Sequence, residues 1–378
     1  MEPLFTFFYQ RLPLRPSGAD HYLHLLNAAE RRQLRRTECL VMLLAALLSV
    51  LGFLVYYLPI YRHPQLFPAL HLTLFGVSFK FAWAELLWCV LLTSVELLLL
   101  VLLNLASVHD IAAATGFITS ATKPDRRAVV LQIGLERKST EASRYGIDPF
   151  EGLSKSWLLL FNFVLKLKGW LGNQLIRYLT RLLLGRYAVR TLLDFVGLPL
   201  YMAINAYAVY VVMREARVVV MGQTVIRLLL ERLPPWALSA KEKELLYDTL
   251  QYIAISKRDF HPNHCLLTRE LLTHFHIPSK PRHSLPADYL AKLQCAPEAA
   301  GALCRLVIVL GFLLDGQFSW RERSSLRQLN ELGILQTSAA ELQQYTRDFL
   351  NGVGVEAWSA AYLAQLDTQT EYSLLHSG

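Results

Sequence analysis

CLVMLLAALLSVLGFLVYYLPIY, residues 39 to 61, is 23 residues long and holds no charged side chain. At about 1.5 Å of rise per residue, a helix of that length crosses a hydrocarbon layer of roughly 30 Å. The stretch reads as a first transmembrane helix, and it sets the class of the molecule. The composition agrees, since 53 % of the 378 residues are hydrophobic and only 18 % are charged. That balance is too apolar for a soluble chain of this length.

Working outward, the N-terminal segment 1–37 carries Phe5, Phe7, Phe8 and Tyr9 between prolines. It then reads as a helix from about Ala19 that ends in Arg31, Arg32, Arg35 and Arg36. No cleavable signal is expected, because the first long apolar run begins only at Cys39. After a short connection with Pro64 and Pro68, a second apolar run from about Phe81 to Val108 reads as a second span. The two make a transmembrane hairpin over residues 38–108.

Basic residues orient it. Six Arg precede the first span, only Arg62 and Lys80 lie between the spans, and six Lys or Arg follow in residues 109–154. The positive-inside rule then puts both outer flanks in the cytoplasm. Tyr56, Tyr57 and Tyr61 on one side of the connection and Phe81, Trp83 and Trp88 on the other fit the opposite interface.

Residues 109–234 form a basic region. Lys155 to Arg232 alone holds eleven basic and three acidic residues, a surplus equal to the whole net charge of +8. Its Lys and Arg alternate with Leu, Phe and Trp, which favours anionic lipid headgroups over nucleic acid. Amphipathic helices on the cytoplasmic leaflet are expected here, with Lys166, Lys168, Arg177 and Arg181 at the headgroups. The 19 uncharged residues from Phe195 to Met213 are a candidate third membrane segment. An outward crossing there would leave Arg214, Arg217, Arg227 and Arg232 outside, so a helix that dips into the membrane or packs in the basic bundle is favoured.

Beyond Pro234 and Pro235 the composition becomes that of a soluble helical bundle, residues 235–378. Three Ser-x-x-Glu patterns mark helix starts at Ser239/Glu242, Ser319/Glu322 and Ser338/Glu341. The fold class expected is therefore all-α: a transmembrane hairpin, basic amphipathic helices and a C-terminal bundle.

Three groups of residues are candidates for chemistry. Glu96 lies near the centre of the second span, where an ionised carboxylate costs about 2.5–3.5 kcal/mol. Glu85, eleven residues earlier, falls within about 20° of it on the same helix face. The pair suggests an ion path in an oligomer, or a polar contact with a neighbouring helix. His261, His264, His274 and His276 cluster with Cys265, but their spacing does not build a compact metal site. The five cysteines show no CxxC pair, and no phosphate loop, nucleophile elbow or HExxH occurs. The chain is not expected to be an enzyme.

The third group is LLDGQFSWRERSSLRQLNELGI, residues 313–334. Asp315-Gly316 ends one helix and Ser319/Glu322 starts the next, which explains all four residues as a turn and a capping box. The arrangement also resembles the helix junction of the TerB-like family, the tellurite-resistance-associated helical domain, over roughly residues 238–352. Residues 252–277 lie over the same motif as a second half, with Asp259 matching Asp315, although Phe260, Asn263 and Leu266 replace the glycine, the capping serine and the glutamate. The resemblance implies a divalent cation held by Asp315, Glu322 and Asp259. It also implies a bacterial inner-membrane setting and a role in stress or envelope response, as a membrane-anchored scaffold or sensor with a protein partner or a second copy of the chain.

Overall fold

The computed structural model describes residues 7, 9, 11, 12, 26–68, 70–74, 77–115, 117, 118, 124–134, 145–149, 151, 187–233, 238–258, 260–356, 358–360, 362–364 and 366. The architecture is helical. In chain order come α1 (Ala28–Arg62), a β-hairpin, α2 (Trp83–Ala114), α3 (Pro124–Gly134), α4 (Tyr187–Arg232), α5 (Ala240–Lys257), α6 (Pro262–His274), α7 (Tyr289–Gln294), α8 (Glu298–Leu313), α9 (Trp320–Glu331) and α10 (Ala339–Asn351).

The arginine-rich flank and the first apolar run form one helix. Asn27 caps α1 by accepting from the Ala29 and Glu30 N–H groups, while the Glu30 carboxylate accepts from the Asn27 N–H. The connection to α2 is more than a loop: β1 (Leu70–Leu74) pairs antiparallel with β2 (Val77–Phe81), Leu70 opposite Phe81 and Leu74 opposite Val77.

α1 and α2 are long and apolar enough to cross a membrane. Of the most apolar 18-residue stretch of each helix, 17 % is buried in α1 and none in α2. Leu43, Leu47, Leu51, Leu54 and Leu58 of α1 and Leu87, Val90, Leu91 and Val95 of α2 are exposed. Such a surface, unbroken for several turns, requires an apolar solvent or partner.

The opposite end of this layer is different in kind. Leu105, Val108, Ile111 and Ala112 of α2 are fully buried, as are Met213, Ala216, Val220, Val225 and Ile226 of α4. They belong to the same core as the C-terminal helices. The composition change at residue 235 is therefore not a break in the packing. At the centre of that core lies α8, which buries every residue from Leu306 to Leu313. Each large aliphatic side chain there contributes about 1.5–3 kcal/mol. All three Ser-x-x-Glu starts form reciprocal capping boxes, at α5, α9 and α10.

α4 links the two ends. Arg217 pairs with Glu38 of α1, and Asn205 hydrogen-bonds Ser49 of α1. Eleven residues of α1 are thus matched by twelve of α4 in the opposite direction, which makes the two helices antiparallel and in register.

Candidate functional site

Two helix junctions meet on α4 where it leaves the apolar layer. The first joins α5 to α6. α5 ends at Lys257, followed by Arg258 in the left-handed conformation at φ 55°. α6 is capped by His261, whose Nδ1 accepts from the Asn263 N–H at 3.2 Å. That bond leaves the proton on Nε2, which donates to the Glu215 carboxylate of α4 at 2.9 Å. The second junction joins α8 to α9 through Asp315, Gly316 at φ 65° and the Ser319 cap.

Asn263 fastens both junctions to α4. Its side-chain amide is fully buried and donates to the Val218 carbonyl of α4 and to the Leu314 carbonyl at the end of α8, each at 2.8 Å. α4 can come this close because residue 222 is glycine: a Cβ there would stand 2.1 Å from the Asn263 Nδ2. The Arg214 guanidinium adds a bond to the Gly316 carbonyl at 3.0 Å. Alongside, His264 donates from Nε2 to the Gly311 carbonyl at 2.8 Å. Burial, with the charge of Lys257 acting in the same direction, pushes the His264 imidazole down to about 3, so the ring is neutral.

Asp315 and Glu322, the two carboxylates expected to hold a cation, are brought together. Between them is the ammonium of Lys257, 2.7 Å from Asp315 Oδ1 and 2.5 Å from Glu322 Oε1. It also donates to the Phe312 and Gln317 carbonyls. The Lys257 and Glu322 side chains are each 1 % exposed. Burial raises the Glu322 carboxyl above its ordinary range, and Lys257 acts against that shift. The other Glu322 oxygen accepts from the Ser319 N–H at 2.7 Å, closing the capping box. A divalent cation here would have to displace a buried ammonium that is already paired with both acids. Asp259 lies outside the described residues.

Among the described residues, Glu244, Asp248 and His283 also have their ligand atoms within 4.8 Å of one another. The same logic applies to them. The Lys280 ammonium lies 2.6 and 2.5 Å from the two Glu244 oxygens, and His283 Nε2 is 2.8 Å from Asp248 Oδ1. The four expected cluster histidines do not converge: His261 and His264 serve the junction, whereas His274 closes α6 and His276 is exposed beyond it.

In the apolar layer, Glu96 meets a partner that the sequence did not mark as one. The Asn205 side-chain amide of α4 donates to Glu96 Oε1 at 2.7 Å and to Ser49 Oγ of α1 at 2.8 Å, so three helices share one polar contact. Gly52 of α1 faces the second Glu96 oxygen, and a Cβ there would lie 3.8 Å from it. Glu85 stands in the first turn of α2, eleven residues or about 17 Å along the helix from Glu96. Lys166, Lys168, Arg177 and Arg181 lie outside the described residues.

Signals for the missed residues were present but weak. Lys257 stands two positions before Asp259 in the half-motif, and Asn205 is the one amide in an otherwise uncharged 19-residue run. Neither pattern names its partner.

No protein-family model, curated protein or solved structure matches this chain.

Proposed function

We propose that the protein is a membrane-anchored scaffold or sensor, without catalytic chemistry, whose helical domain is built directly onto its membrane helices. The observation that carries this reading is α4: one helix that contacts Glu96 and Ser49 in the apolar layer and then receives both helix junctions between Arg214 and Gly222. A flexible linker would uncouple the two ends. A continuous helix with a buried charge cluster at its exit passes on any axial or rotational shift, because packed interfaces are bistable rather than continuously deformable.

In this reading α1 and α2 cross the bilayer, and the N-terminal flank and the helical domain share the cytoplasmic side of a bacterial inner membrane. The supports are Arg31, Arg32, Arg35 and Arg36 on α1 and Arg214, Arg217, Arg227 and Arg232 on α4, all at one end of the layer. The contact surface for a partner or for anionic headgroups includes Trp320, 73 % exposed at the start of α9 beside Arg321. The junction pair is also the part that resembles TerB-like domains.

Hydrogen exchange on the full chain in lipid vesicles tests the coupling. Glu96→Gln is expected to speed exchange of the backbone amides from Leu313 to Glu322, a junction that meets α4 nine to thirteen residues beyond the Asn205 contact. Unchanged protection at that junction, in a variant that remains folded, would contradict the sensor reading.

A second reading draws on the same polar contact. Glu96, held where three helices meet, is placed to carry ions or protons in an oligomer, with Glu85 nearer the other interface. Loss of ion flux through liposomes on Glu96→Gln, with assembly intact, would favour it.

A further inference from the structure

The sequence poses a conflict around residues 195–213: the run is long enough to cross, but an outward crossing strands four arginines on the wrong side. The direction of α4 removes the conflict. Glu38 pairs with Arg217 and Ser49 with Asn205, so α4 is antiparallel to α1. It is also parallel to α2, since Asn205 is level with Glu96, and Leu105 to Ala112 of α2 enter the same core as Val209 to Leu229 of α4. α4 therefore runs toward the helical domain, and its basic C-terminal half lies on the same side as the arginines of α1.

The register also fixes how far α4 reaches. From Ser49 to Arg62, α1 extends 13 residues, about 20 Å. From Glu96 back to Trp83, α2 extends the same distance. From Asn205 back to Tyr187, α4 extends 18 residues, about 27 Å, and so passes the ends of both. Leu200 on this length, and Tyr207 and Val211 just beyond Asn205, are exposed in the same way as the apolar faces of α1 and α2. Pro199 lies inside the helix, a residue that membrane helices tolerate.

We infer that α4 is a third membrane crossing, entered from the side of the β-hairpin, whose exposed apolar face takes the hydrocarbon of the bilayer. Its occupant is lipid because the face continues the layer already formed by α1 and α2 at the same depth. The inference rests on the reading that those two helices cross. It has a consequence for the chain: Glu151 accepts from the Leu285 N–H within the helical domain, so Glu151 and Tyr187 lie on opposite sides of the membrane.

The test is labelling with a membrane-impermeant maleimide in oriented vesicles, on a full-length chain with Cys39, Cys89, Cys265, Cys295 and Cys304 replaced by serine or alanine. Single cysteines are placed as Gln65→Cys between α1 and the hairpin, Arg190→Cys in α4 and Glu231→Cys at its end. Arg190→Cys is expected to label from the same side as Gln65→Cys, and Glu231→Cys from the other. Labelling of Arg190→Cys from the Glu231 side would overturn the crossing, as would its protection from both sides in opened vesicles. Labelling of Gln65→Cys and Glu231→Cys from one side would instead sink the two-span reading itself. A nitroxide at Tyr207→Cys gives a second measure: it is expected to be relaxed more strongly by oxygen than by a water-soluble nickel chelate, and the reverse order would also overturn the inference.

Discussion

Replacing Lys257 by methionine removes the cation from a site where Glu322 is 1 % exposed and Asp315 lies 2.7 Å from the ammonium. Methionine nearly preserves the volume of the stem, so the change isolates the charge. Breaking a buried pair from one side costs about 3–5 kcal/mol, because the remaining charge is left uncompensated. Glu322→Gln is expected to cost less, about 1–2 kcal/mol: the amide oxygen can still accept from Ser319, and Lys257 keeps Asp315. The double variant should therefore cost less than the sum, with a coupling of about 2 kcal/mol. At roughly 2 °C per kcal/mol for a large domain, Lys257→Met lowers the melting temperature by about 6–10 °C. The pH dependence has a definite sign. Burial already holds the Glu322 carboxyl above its ordinary range, and loss of Lys257 raises it further. A raised folded-state value favours folding at low pH and loses that support as pH rises, so the variant is expected to be weaker at pH 8 than at pH 5.5. Tryptophan fluorescence melts of the detergent-solubilised full chain read both effects. Strict additivity of the two substitutions, or a shift below about 1 °C for Lys257→Met, would refute the reasoning.

Other outcomes follow from the same geometry. Gly222→Ala drives a Cβ to 2.1 Å from the Asn263 amide, which two hydrogen bonds hold in place, and is expected to cost about 1–3 kcal/mol in the same melts. Acidification should weaken the fold through His264: its folded value is near 3 against about 6.5 when unfolded, so the support it gives is complete above pH 6.5 and is lost as pH falls toward 3. That amounts to about 2 kcal/mol by pH 5, measurable by denaturant unfolding at pH 7.5 and 5. Calorimetric titration of calcium, magnesium, zinc and manganese into the full chain is expected to give no heat from the Asp315/Glu322 pair while Lys257 is present. Asn205→Leu should lower stability by about 0.6–2 kcal/mol, the range for a polar contact between membrane helices, and the loss should shrink in a Glu96→Gln background.

Much of the fold could be read from local pattern. The uncharged run 39–61 and the three Ser-x-x-Glu starts depend on spacing alone, and each appears as a helix or a capping box. The β-hairpin between α1 and α2 was not legible, because LHLTLFGVSFKF stands only eight residues after one apolar run and leads straight into another. The junction was half legible. Asp315 and Glu322 are visible as a motif, but the ion that neutralises them is a lysine more than 50 residues upstream, and no local rule connects the two. The packing across residue 235 was not legible for a related reason. Composition does change at residue 235, yet Asn263 and His261 bond to α4 across it, and long-range contacts of that kind leave no trace in composition.

The claim that the helical domain is built on α4, rather than tethered to it, makes the isolated 236–378 fragment the most direct test. That fragment lacks Val209 to Leu233 of its own core and leaves the buried Asn263 amide without the Val218 carbonyl. It is expected to show helical far-ultraviolet circular dichroism, no near-ultraviolet signal and strong binding of a hydrophobic dye. A monomeric fragment with a sharp cooperative melt and dispersed amide resonances would contradict the account.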